Sequence, residues 1–571
     1  MFCKWVDRLV TLISELKQPS PRAVNFLALG STLLSTTPEY ADENEVDGTS
    51  TSIEPDAVCV LEGEADGFGS WSQVLVPVKF KRKPTSLLAQ EALEALTWNP
   101  SSSQTPSTTK RSRTPTQKSD PSAEKANSPD RILCRASPAA TPPSPTSPSA
   151  YKPTWDDIQL ARYAMETLAA FGDRTHVFGL VVNRPEVTLW HFDRFGAVRS
   201  QPLNVEGPQG QGFLSFVKFL SALVYIQDDA LGFNPFFAAS TGIKRVGMRK
   251  DLCDISIKIS EPGDASLTLK RLLDRRTGLV GCATLVYKAH LWCHGEGNGV
   301  PVDAVLKSSW QHVHRTSEYD ILQKLHMHSE AIQHVVGVFY RKEGFTVSSQ
   351  RGKFGEPKPE VVDERALRYT VAEYLSPITK LSQPFHIPHI GWSVLQAIKF
   401  LRGAGWFHRD ISVGNIGFQL VPNCQGVIVK LLDFDLSKEI VSSSKAPHGT
   451  GTLPFMSIEL LEVPEVVHKL GFEVEALMWT LLWIVRVYVD GQEEYDGDHP
   501  LINWFSNYRT VENVAYTKMA YLQRARGFTN DWYRELELQM RSLARTWHEM
   551  RKDQCKMRFQ AEDDYLVSDS M

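Results

Sequence analysis

Between positions 101 and 150, 28 of the 50 residues are Ser, Thr or Pro, and large apolar side chains are almost absent. Such a stretch cannot bury enough apolar surface to offset the entropy of ordering its backbone, so it is expected to be disordered. The 571-residue chain must therefore build its cores on either side of this stretch, and its length calls for at least two. Seven Ser-Pro or Thr-Pro pairs, from Thr105 to Ser147, make the segment either a target for proline-directed kinases or a plain spacer. The cluster Lys110, Arg111 and Arg113 reads as solvated linker charge rather than a nuclear-import signal.

Over the whole chain, 42% hydrophobic and 22% charged residues are the composition of a globular protein that carries some disordered sequence. A formal net charge of -4 gives no overall attraction to nucleic acid or anionic membrane, so neither partner is predicted. The eight cysteines show no C-x-x-C spacing, which argues against a zinc site or disulfide framework and for a reducing compartment, cytoplasmic or nuclear. Lys4, Asp7, Arg8 and Glu15 interrupt the N-terminal apolar residues, giving an amphipathic helix and no signal peptide. The most apolar run, 476–489, contains Arg486 and is too short to span a bilayer, so it is expected to be a buried helix of a soluble protein.

Strands are expected within 55–82 (AVCVL and WSQVLVPVKF), followed beyond the linker by a helix at 155–171. Strands at 176–182 and 187–192, a turn at Asp193–Gly196 and a helix near 213–226 complete an α+β module split by the insertion.

The chemistry concentrates further on, in GWFHRDISVGNIGF, where Asp410 and Asn415 stand five apart behind His408 and Arg409. Phosphoryl transfer needs a carboxylate to orient the attacking hydroxyl and take its proton, beside a metal-binding group that neutralises phosphate charge. Asp410 and Asn415 are of the right types at the right spacing. Upstream, Val394, Leu395, Ile398 and Leu401 recur at helical spacing, and Gly403 and Gly405 end the helix. Downstream, apolar runs at 416–420 and 427–432 flank a turn and predict a hairpin that brings Asp433 back toward Asp410. Asp433-Phe434-Asp435 then matches D-F-G except for its glycine, and GTGTLPFMSIELL matches the end of a kinase activation segment, with Glu459 as its glutamate.

Together with RTSEYDIL and LMWTLLWIV, these strings resemble the fungal-type protein kinase family. The resemblance implies an α+β, bilobal protein-kinase-like domain at 241–525, with a small lobe at 241–375 and a large lobe at 376–525. Before it would come a split module (1–98 and 153–240) around a disordered linker (99–152), and after it a helical tail (526–571). It also implies ATP and Mg²⁺ as cofactors and a protein substrate phosphorylated on Ser or Thr. By the same resemblance Lys307, Asp410, Arg409 and His408 are catalytic, and Asn415 and Asp433 bind metal. Gly281, Lys307, Glu318, Glu373 and Leu375 would hold the nucleotide, the last two through hinge backbone. Ala283, where a glycine is usual, narrows the approach of phosphates. Asp435 restricts the metal-binding segment, and Glu473, in place of an aspartate, is expected to loosen the brace on the catalytic loop.

Two other readings compete: a pseudokinase scaffold, motivated by those three departures, and a small-molecule phosphotransferase. A nuclease-like reading rests on Pro55-Asp56 and Lys79, but Pro77 stands where a second metal-binding carboxylate is required.

Overall fold

The computed structural model describes, with short breaks, residues 2–15, 24–29, 55–61, 71–80, 151–237, 256–293, 301–352, 364–440, 451–493 and 511–523, with isolated positions beyond. The segment expected to be disordered lies outside the described residues except for its last two, and so does most of the expected C-terminal tail.

Among the described residues, seven strands from both sides of the Ser/Thr/Pro segment form one sheet. They are β1 (Val24–Ala28), β2 (Ala57–Leu61), β3 (Val76–Phe80), β4 (His176–Asn183), β5 (Glu186–Asp193), β6 (Gly196–Arg199) and β7 (Leu203–Asn204). Their order is β1-β2-β3-β4-β5-β6, with β7 on β5. The two chain segments meet where β3 pairs β4 in parallel, Val78 opposite Leu180. Successive side chains of a strand face opposite ways, so Ala57 and Cys59 join a core under the helices Phe2–Glu15 and Gln211–Tyr225. Val58 and Val60 join another under the helix Trp155–Ala169. That helix starts at a capping box, Thr154 with Asp157. Trp71–Gln73, expected as strand, is a turn of 3₁₀-helix that drops Trp71 into the second core.

A second, antiparallel sheet runs β12-β13-β11-β10-β9-β8, built from β8 (Ser256–Ser260), β9 (Asp264–Arg275), β10 (Leu285–Cys293), β11 (Val302–His312), β12 (Val338–Thr346) and β13 (Arg365–Glu373). Between β11 and β12 lies the helix Glu318–His326, capped by Ser317. The cap leaves Val313 outside the helix.

The rest is mainly helical. The helix His386–Gly403 ends before Gly405, which turns the chain at φ +85°. Val394, Ile398 and Leu401 are buried along one stripe, while Leu395, expected to join them, sits about a quarter of a turn away and is 38% exposed. Short strands β14 (Ser376–Pro377) and β15 (Trp406–Phe407) precede the hairpin of β16 (Ile416–Leu420) and β17 (Val427–Leu431). Ile416 lies opposite Leu431 in the hairpin that the apolar runs predict. The helix Leu470–Val487 is buried on nearly every side. No helix among the described residues is long and apolar enough to cross a membrane.

Candidate functional site

The loop after β15 is held from three sides. His408 is fully buried, with Nε2 2.9 Å from the Leu432 carbonyl, to which it donates, and its ring against Phe434. Arg409 takes a left-handed φ of +70°, a strained conformation for a side-chain-bearing residue, and its backbone N–H donates to Glu473 Oε1 at 2.8 Å. The added methylene of Glu473 therefore does not loosen the brace: its carboxylate reaches the loop and also accepts from His468 at 2.7 Å. Burial pushes the Glu473 carboxyl up, but His468 and the Arg409 amide outweigh it and hold the group below its ordinary value.

Asp410 is fixed through both oxygens. Oδ1 accepts from the backbone N–H and the hydroxyl of Thr452, each at 2.7 Å, and Oδ2 accepts from Asn415 Nδ2 at 2.9 Å. Asn415 also donates to the Asp410 carbonyl. Gly451 stands beside Thr452 at φ +145°, and a Cβ there would meet the Arg409 carbonyl oxygen at 3.1 Å.

Opposite this loop, Lys307 of β11 meets three carboxylates: Asp433 at 2.7 Å, Asp435 at 2.8 Å and Glu318 at 3.1 Å. Glu318 is buried, and its second oxygen accepts the Phe434 amide at 3.0 Å. Asp433, not Asp435, takes the left-handed φ, +58°, so the backbone at Asp435 makes no demand for glycine. Asp435 is instead anchored by Gln311 Nε2 at 2.6 Å, and Gln311 by Arg368 at 3.0 Å. Sequence reasoning missed Gln311 and Thr452 as site residues, and only the G-T spacing before LPFMSIELL pointed to the latter.

These neighbours push the carboxylates apart. Burial and the nearby Asp433 charge outweigh the Thr452 hydrogen bonds and raise Asp410 above its ordinary value. At Asp433 burial acts upward too, but Lys307 overcomes it and holds the group low. Burial raises Glu318 to about 7 against the attraction of Lys307, with Asp435 and Asp433 adding to the rise. Burial alone would lower Lys307, yet its three carboxylates keep it well above its ordinary value. Glu318, Asp433 and Asp435 each bring an oxygen within 4.8 Å of the others, the hard donor type that Mg²⁺ accepts.

The remaining predicted residues make their contacts elsewhere. Gly281, in the turn between β9 and β10, donates its N–H to the Arg194 carbonyl. Glu373 ends β13 with its carboxylate on Lys430 at 2.7 and 3.0 Å and on the Gly337 amide at 2.9 Å. Leu375 is buried against Gly417, where a Cβ would come within 2.7 Å of its own. In the first sheet Asp56 and Lys79 form a buried ion pair at 2.9 Å, and Asp56 also accepts the Phe80 amide.

A sheet carrying a lysine paired to a helix glutamate, set over a loop that ends in an aspartate-asparagine pair, defines the fold of the protein kinases. A family model described as "Fungal protein kinase" matches residues 146–351 and 342–485, more than half of the chain, and the chain belongs to that family. Relatives include the Schizosaccharomyces pombe "Serine/threonine-protein kinase ppk11", 32% identical over 128 residues, or 22% of this chain and 38% of that protein. The Saccharomyces cerevisiae "Serine/threonine-protein kinase SKM1" is 27% identical over 135 residues, covering 24% and 18%. The chain thus matches less than two fifths of either relative's length. Among solved structures, vaccinia related kinase 3 aligns at 13% identity over 54% of this chain and 86% of that one, with a TM-score of 0.32.

Proposed function

We propose that the chain is an ATP- and Mg²⁺-dependent protein kinase that phosphorylates Ser or Thr hydroxyls of protein substrates. In this reading 241–375 is the small lobe and 376–525 the large lobe, and the cleft between them holds the nucleotide. Bound Mg²⁺-ATP supplies the transferable phosphoryl group and the divalent charge that neutralises it. Lys307, oriented by Glu318, binds phosphate oxygens, while Asp433 and Asn415 bind metal. The turn around Gly281 covers the phosphates, and the backbone of Glu373 and Leu375 meets the adenine. His408 and Arg409 act through the loop's shape, one on the Leu432 carbonyl and the other on Glu473.

The observation that carries the reading is the contrast between two aspartates. Asp410 is raised by burial and the Asp433 charge and held in place by hydrogen bonds from Thr452 and Asn415, as a residue that orients and deprotonates a hydroxyl requires. Asp433 is held ionised by Lys307, as a metal ligand requires. Transfer from labelled ATP to the protein itself and to a peptide panel tests this, comparing the wild type with Asp410→Asn and Asp433→Ala. Both variants are expected to lose the signal, and equal signal in all three would overturn the reading.

One observation favours a nucleotide-binding scaffold without transfer: Lys307 already has a third carboxylate, Asp435, at 2.8 Å. Binding of Mg²⁺-ATP by a wild type that transfers no phosphate would select that alternative.

A further inference from the structure

The turn that would cover the phosphates, residues 276–284, is tied into the N-terminal sheet. Arg194, in the turn after β5, is 4% exposed. Its guanidinium donates to the Gly278 carbonyl at 2.5 Å and to the Leu168 carbonyl at 2.7 Å. Its own carbonyl accepts the Gly281 N–H at 3.3 Å, so one residue holds the turn at two points. Burying a guanidinium on carbonyls alone is costly unless the hydrogen bonds are well made, and burial brings Arg194 down to about 10.

The apolar contacts are reciprocal. Leu279, within the turn, packs on the N-terminal core that contains Trp71, Leu160 and Tyr163. Phe195, beside Arg194, packs on the core of the second sheet. At the end of β9, Arg275 donates to the Ala170 carbonyl at 3.2 Å, while the next residue, Arg276, contributes to holding Asp433 low. Within the turn, Ala283 sits at φ +44°, a conformation that persists only when the surroundings impose it. Away from the turn, the same two units are joined by the Asp193–Arg351 pair, 2.7 Å through both oxygens, and by Phe236 stacked 3.9 Å from Tyr369.

We propose that the N-terminal module is a positioning element for the phosphate-covering turn, anchored through Arg194 and Leu279, so that nucleotide affinity depends on its docking. The proposal rests on the kinase reading for its ligand. Its structural half, that the module orders the turn, stands apart from that reading. Arg194 touches no reacting atom and acts only through the shape of the turn.

The test uses the full chain and two readouts, amide hydrogen exchange across 278–283 and steady-state kinetics with Mg²⁺-ATP. Arg194→Met and Leu279→Ala should each speed exchange at Gly281, raise the KM for ATP about tenfold and change kcat less than about twofold. Arg194→Lys, which can still bond one carbonyl, should recover part of the KM. Unchanged exchange and unchanged KM in Leu279→Ala would overturn the proposal. That variant, which trims a half-buried side chain, decides the matter alone if Arg194→Met fails to fold. A wild type that binds no nucleotide would sink the kinase reading, and the exchange data would then decide whether the module orders the turn.

Discussion

The contacts that fix the loop around Asp410 come from residues 5, 42 and 64 positions apart, all within one helical unit. The turn that carries Gly278 and Gly281, with the end of β9 beside it, is held by contacts spanning 84 and 105 positions, from the N-terminal unit. Where the fixing groups belong to the same unit, the loop keeps its spacing and reads as a motif. Where they come from another unit, the turn can lose a glycine, because its conformation is imposed from outside. Lys307 belongs with the second case, since it joins the second sheet to Asp433 across 126 positions.

Cutting that join should have the largest effect. Lys307→Met is expected to reduce phosphate transfer about 10²- to 10³-fold, measured with labelled ATP, and near-normal transfer would show that the two sides work without it. Next comes the brace on the Asp410 side. Glu473→Ala leaves the Arg409 amide and His468 without their acceptor and should cost about 3 kcal/mol of stability in urea unfolding, with Glu473→Gln costing less.

Glu318 offers a smaller effect with a defined sign. Its folded-state value of about 7 lies above its ordinary 4.5, so between these values the native protein holds a proton that the unfolded chain releases. Stability from this group is therefore present at low pH and lost as pH rises through about 7. Glu318→Gln should remove that slope, at most about 1.4 kcal/mol per pH unit, from unfolding free energies measured between about pH 5 and 8. The smallest effect belongs to Leu395→Ala, expected to change stability by less than about 0.5 kcal/mol. A cost several times larger in the same urea unfolding would return Leu395 to the core where helical spacing had put it.

Much of the Asp410 side was legible in the chain. Asp410, Asn415 and Asp433 lie close in sequence within a helix, loop and hairpin whose apolar periodicity predicts them. Glu318 was reached through the family resemblance, because an isolated glutamate on a helix is more often solvated. The fit at Glu473 was misjudged, since residue type alone does not reveal where the backbone places a side chain. Gln311 gave no signal at all: its partner Asp435 is 124 positions away, and nothing in QHVHRTSE marks a hydrogen bond to it.

By itself the sequence determined the helix and hairpin on either side of Asp410, the strands flanking the Ser/Thr/Pro segment and the side chains proposed to carry chemistry, because alternation and helical spacing act over a few residues. Only the tertiary structure decided the partnerships of Lys307 with Asp435, Arg194 with Gly278 and Glu473 with the Arg409 amide. Those depend on which faces of distant segments pack together, and packing of that kind leaves no local pattern in a chain.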